Sequence, residues 1–173
     1  MRLFIAVPLS GEMRAALTAV QEELRRRGAR GTYTREENLH LTLAFIGEYP
    51  APDAVISAME SVPFPAVSLA LDGAGSFGEV WWAGLRESEA LAAYVKRLRR
   101  ALAEAGIPFD RKRFSPHITL LRRPGISEAK GLAALPVPAA VMTADRVCLM
   151  RSDRGKRGMI YTELGDVAAS GGR

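Results

Sequence analysis

The chain has 173 residues, 48% of them hydrophobic and 25% charged, with a formal net charge of +5. That length and composition suit one domain with a sizeable core and exclude a disordered chain. No apolar run approaches the roughly 20 residues that span a bilayer, and the basic balance fits an anionic partner such as a nucleic acid without selecting one.

In chain order, RLFIAV (2–7) reads as a buried strand. Pro8, Ser10, Glu12 and Arg14 interrupt the apolar start, so no secretory signal is read. Ser10 predicts the N-cap of a helix whose apolar stripe is Met13, Leu17, Val20 and Leu24, with Gly28 as its stop. HLTLAFIG (40–47) alternates as a strand, and APDAVISAMESV (51–62) is a short helix. VSLALDGAGSF (67–77) and VWWAGL (80–85) are strands around a glycine-containing turn. Trp81 and Trp82 alternate, so one belongs to the core and the other is free to be exposed.

A second helix is predicted over 88–105, with Leu91, Val95, Leu98 and Leu102 on one face and Lys96, Arg97, Arg99 and Arg100 as a solvated surface. Gly106 and Pro108 end it. HITLL (117–121) follows as a strand, then a short helix near 127–133, then strands in AVMTADRVCLM (140–150) and MIYTEL (159–164). The closing ASGGR (169–173) reads as a frayed tail. Cys148 is the single cysteine, so no internal disulfide exists; it reads as an inert core residue in a reducing cytoplasm.

This order conceals a repeat. Each of two amphipathic helices ends at a glycine, Gly28 or Gly106. An arginine-containing connection follows, then a strand opening with His-apolar-Thr-Leu. The copies are His40-Leu41-Thr42-Leu43 and His117-Ile118-Thr119-Leu120, and they hold both histidines of the chain. Two such units in one domain over residues 1–173 predict an α+β fold with a pseudo-twofold axis and a shared cleft. Side chains at i and i+2 of a strand share a face, so His40 projects with Thr42 and His117 with Thr119. The intervening apolar residues anchor each strand in the core.

Two imidazoles and two hydroxyls around one small volume suit a phosphodiester. One histidine removes a proton from the attacking oxygen and the other supplies one to the leaving oxygen. The hydroxyls donate to non-bridging oxygens, where charge builds. Two histidines are too few ligands for a zinc or iron site, and the place where a facial triad would hold a carboxylate holds threonine, so no metal or other cofactor is expected.

Here the chain resembles a known family. Paired motifs of this type, HLTL and HITL, define the 2H phosphoesterase superfamily. MRLFIAVPLS, ENLHLTLAFIGE, VWWAGL, FSPHITLLR and RSDRGKRGMIYTEL are similar, in that order, to blocks of its RNA 2′,3′-cyclic phosphodiesterases, also called 2′-5′ RNA ligases. The resemblance implies two lobes, with antiparallel sheets lining a central cleft and helices outside. It implies hydrolysis of RNA ends or nucleotides bearing a 2′,3′-cyclic phosphate to 2′-phosphomonoesters, by opening at O3′. His40 is then the general acid on the leaving ribose oxygen, His117 the general base on water, and Thr42 and Thr119 hold the phosphate. Arg122 matches the arginine closing the second block, as a phosphate-binding fork or as a surface ion pair. Tyr33 stands where the family often has Trp, for stacking a base or as a core or rim residue. A cytoplasmic monomer is expected. The competing readings are 2′-5′ phosphodiester opening, joining of RNA ends by the reverse reaction, and a non-catalytic RNA-binding module of the same fold.

Overall fold

The computed structural model describes residues 1–170. Its elements are β1 (Arg2–Pro8), α1 (Gly11–Arg26), β2 (Thr32–Tyr33), a 3₁₀ turn (Glu36–Asn38), β3 (His40–Glu48), α2 (Pro52–Glu60), β4 (Val67–Phe77), β5 (Val80–Leu85), α3 (Glu89–Glu104), β6 (His117–Arg122), α4 (Glu128–Gly131), β7 (Val141–Ala144), β8 (Arg146–Gly155) and β9 (Gly158–Ala168). The strands form two sheets, ordered β3-β1-β8-β9 and β2-β6-β5-β4-β7. Every paired neighbour is antiparallel. The class is α+β, as the mixed order of the sequence predicts.

The helices form where the sequence places their caps and stripes. Ser10, Ser88 and Ser127 each accept a backbone N–H three residues on, opening α1, α3 and α4. Met13, Leu17, Val20 and Leu24 are buried, each worth roughly 1.5–3 kcal/mol of hydrophobic transfer. Gly28 ends α1 in the left-handed region at φ +90, which lets the Ala29 N–H reach back to the Leu24 carbonyl at 3.0 Å.

The helices exchange sheets. α1 follows a strand of the first sheet but packs on β6 and β7 of the second. α3 follows a strand of the second sheet but packs on β3 of the first. The repeat in the sequence is thus a repeat in space, and one hydrophobic cluster runs through both halves. Leu41 and Leu43 in β3, and Ile118 and Leu120 in β6, are fully buried within it.

Several readings need correction. Arg99 is not solvated with its neighbours: it donates to the Lys112 carbonyl at 2.6 Å and lies against Phe109 and Phe114. Tyr94, fully buried against Phe64, belongs to the α3 core face. The last two strands are longer than their apolar runs, because β8 and β9 pair in a hairpin from Arg146–Ala168 to Gly155–Gly158. The start of the closing segment is not frayed, since Ala169 and Ser170 donate to the Asp145 and Phe64 carbonyls; the rest of that segment, 171–173, lies outside the described residues. Of the two tryptophans, Trp81 is the core one.

Gln21 is a buried polar residue on α1 that the stripe did not reveal. Its side-chain N–H groups donate to the Thr34 carbonyl at 2.8 Å and the Leu120 carbonyl at 3.0 Å, tying α1 to β6 at the last residue of the second motif. Gln21→Met keeps the shape and deletes both donors. It should destabilise the protein by about 1–3 kcal/mol, read as a fall of several degrees in the thermal midpoint. An unchanged midpoint would show that the two carbonyls do not need this amide.

Candidate functional site

β3 and β6 approach each other where the two sheets meet. Both strands open on their histidine, and in both the His and Thr side chains are half-buried while the residues between them are buried. The alternation therefore points His40 with Thr42, and His117 with Thr119, away from the core. The His117 ring and the Arg122 guanidinium are near enough to His40 that a positive charge on either opposes one on His40. The structure thus brings the two motifs and Arg122 to one region.

The imidazoles are held in the same way. His40 Nδ1 lies 2.7 Å from the Asn38 carbonyl, and His117 Nδ1 lies 2.7 Å from the Ser115 carbonyl. A carbonyl only accepts, so each Nδ1 carries the proton and each neutral ring has its lone pair on Nε2. His40 Nε2 lies 2.7 Å from Thr42 Oγ1, whose hydroxyl donates to it. Each ring is also walled by aromatics. Phe4 and Tyr161 stand at 4.9 and 5.4 Å from His40. Phe77 and Trp82 stand at 5.0 and 6.1 Å from His117. Trp82 lies across from Gly75, where a Cβ would come within 2.5 Å of the indole ring. The glycines of DGAGSF signalled this close approach, but not what approaches.

Burial pushes the His40 pKa below its ordinary 6.5, against the bond to the Asn38 carbonyl, and the charges of His117 and Arg122 push the same way. Arg122 is exposed and forms no ion pair among the described residues. The ion-pair reading of Arg122 is therefore set aside. Tyr33 is partly buried against the core: its hydroxyl donates to the Ala29 carbonyl and Arg25 covers its ring at 4.1 Å. Cys148 is buried beside Arg146 and Glu163, and burial pushes its thiol up to about 12, so it stays protonated. Among the described residues no three His, Cys, Asp or Glu side chains gather as a metal site, and no helix is long and apolar enough to cross a membrane.

A family model described as the 2′-5′ RNA ligase superfamily matches residues 12–156, which include both motifs. The chain belongs to this superfamily. Superfamily members similar to it include an RNA 2′,3′-cyclic phosphodiesterase of Thermus thermophilus, 37% identical over 95% of this chain and 88% of the relative. One of Thermotoga maritima is 30% identical over 99% of this chain and 97% of the relative. A third, of Geobacillus stearothermophilus, is 33% identical over 88% of this chain, which spans only 52% of that longer relative. Among solved structures, E. coli LigT complexed with 3′-AMP aligns with TM-score 0.80 at 30% identity, covering 98% of this chain and 97% of LigT.

The depressed pKa of His40 has a measurable consequence. Above pH 6.5 the imidazole is neutral in folded and unfolded chains alike. As pH falls below 6.5 the unfolded chain takes up the proton first, so this residue's contribution to stability is lost down to the folded pKa. Denaturant unfolding across pH 5–7 should show this loss, and His40→Gln should reduce it. An NMR titration placing the His40 midpoint at or above 6.5 would contradict the burial argument.

Proposed function

We propose that the chain is an RNA 2′,3′-cyclic phosphodiesterase, opening the cyclic phosphate without a metal by acid and base catalysis from two histidines. The observation that carries this reading is the doubled imidazole arrangement: two rings of opposite halves, each with Nδ1 tied to a carbonyl and its lone pair on Nε2. The relatives of that name support the substrate class. The 173 residues act as one two-lobed catalytic unit, a monomer of the cytoplasm, on RNA ends or nucleotides.

In this mechanism the cyclic phosphate sits between the imidazoles. Neutral His117 takes a proton from water through Nε2 as the water attacks phosphorus. His40 gives a proton to the departing ribose oxygen in line with that attack. His40 is neutral before substrate arrives, and the anionic phosphate favours its protonated form by adding negative charge beside the ring. The Thr42 hydroxyl, which donates to neutral Nε2, is released once Nε2 carries a proton, and turns to a non-bridging oxygen. Thr119 and Arg122 donate to the same oxygens from the other strand. Opening at O3′ leaves a 2′-phosphomonoester.

A short RNA with a 2′,3′-cyclic phosphate end tests the reading. The expected product is the 2′-phosphate, resolved from the 3′ isomer by chromatography against both standards. A predominantly 3′-phosphate product would mean that the nucleoside docks the other way round or that the two histidines exchange roles. His40→Ala and His117→Ala should each lower kcat about 10²- to 10⁴-fold while staying folded. Near-normal turnover by either variant would remove that histidine from the mechanism.

Thr42→Val and Thr119→Val keep the branched shape and delete the hydroxyl. Each should lower kcat by roughly 10- to 10³-fold at nearly unchanged stability. A melting-temperature loss with kcat preserved would instead make the hydroxyls structural. Chelation with EDTA should leave turnover unchanged, and inhibition reversed by a divalent cation would overturn the metal-free mechanism.

A further inference from the structure

Two polar side chains, one on each long helix, make matching contacts in opposite halves. Gln21 on α1 precedes His40 by 19 residues, and Arg99 on α3 precedes His117 by 18. Gln21 donates to the Leu120 carbonyl in β6 and to the Thr34 carbonyl in the segment that leads to His40. Arg99 donates to the Leu43 carbonyl in β3 at 3.4 Å, and to the Lys112 carbonyl in the segment that leads to His117 at 2.6 Å. Leu43 and Leu120 are the fourth residues of their His-apolar-Thr-Leu motifs. Each side chain therefore joins the strand of one histidine to the approach of the other.

The backbone repeats this crossing. The Thr34 N–H donates to the Leu120 carbonyl at 3.0 Å, and the Asp110 N–H donates to the Phe45 carbonyl of β3 at 2.8 Å. Neither histidine is thus placed by its own half alone. Both side chains leave water to make these bonds. Gln21 is buried. Arg99 is half-buried against Phe109 and Phe114, and its Nε is buried without a hydrogen-bond partner among the described residues. A guanidinium on a solvated face keeps its hydration. This one loses it at one N–H while its other two nitrogens reach the two carbonyls.

Acid and base catalysis at one phosphorus needs two imidazoles at a fixed separation, since attack and departure occur on opposite sides. Apolar contact between packed halves has no direction and does not fix that separation. A donor shared by two carbonyls does, because a shift of about 1 Å takes either bond out of hydrogen-bonding range. Resting on the phosphodiesterase reading, we propose that Gln21 and Arg99 are a matched pair of positioning residues. Each ties one motif strand to the approach segment of the other motif, and together they set the spacing of His40 and His117. They act through the histidines and not on the substrate.

The test uses Arg99→Met and Gln21→Met, which keep an apolar stem and delete the donors. Both are studied well below their thermal midpoints, so that loss of folded protein does not enter. On a short RNA with a 2′,3′-cyclic phosphate end, each should lower kcat roughly 10- to 10²-fold with KM little changed. Without substrate, the imidazole NMR signals of both histidines should move in each variant. Arg99→Lys keeps a donor on a similar stem and should recover part of kcat. Native kcat and unmoved imidazole signals in the folded Met variants would make the contacts purely stabilising. That result would overturn the inference and leave the phosphodiesterase reading standing. A rise in KM alone would overturn it too, because it would place the two residues in substrate binding. Gln21→Met decides the matter if Arg99→Met does not fold. Should the native protein turn over no cyclic phosphate, the phosphodiesterase reading falls, and the imidazole signals still decide whether the two contacts position the rings.

Discussion

The hydrogen bond between each imidazole Nδ1 and the carbonyl two residues upstream is the contact on which the site depends. It decides which nitrogen holds the proton, and therefore which nitrogen carries the lone pair. A strand alone does not settle this. Alternation along β3 and β6 aims the ring, but the ring can still turn about its own bonds and exchange tautomers. The Asn38 and Ser115 carbonyls remove that freedom at 2.7 Å each. Everything said about proton transfer through Nε2 follows from those two bonds.

The two halves are alike in this bond and unlike behind it. Asn38 is buried, and its amide donates to the Met159 carbonyl at 2.8 Å, next to the turn of the β8–β9 hairpin. Arg35 donates to the same carbonyl at 2.5 Å. The residue that holds His40 is thus pinned by a strand on the far side of its sheet. Ser115, which holds His117, is exposed. Burial favours the neutral form of His40 in the unliganded protein. Two copies of one motif are thereby given different surroundings.

Packing explains why the halves meet at all. Each long helix crosses to the sheet that does not contain the strand before it, so neither half has a closed core of its own. Gln21 makes the crossing specific, because a buried amide fixes the position of α1 on β6 where apolar contacts alone would let it slide. The strand that carries His117 is therefore positioned by a helix that follows the first strand of the other sheet.

Much of this was legible in the chain. The serine caps, the apolar stripes of α1 and α3 and the alternation of the two motif strands are local rules, and they act over a few residues with the periods of helix and strand. The doubled motif carried more, because two copies in matching frames imply two matching positions in space. Arg99 and Tyr94 were misjudged or passed over since a helix period tells which residues share a face, not which distant loop or helix covers it. Phe4, Tyr161, Phe77 and the orientation of Trp82 were invisible for the same reason: they reach the histidines across strand pairings whose register no single segment encodes. The sequence by itself determined the chemical groups and the local direction in which they point. Only the tertiary structure decided the burial of His40, the charges that act on it and the carbonyls that fix its proton. Desolvation and Coulomb interactions depend on distances through space, and those exist only once the two sheets have packed.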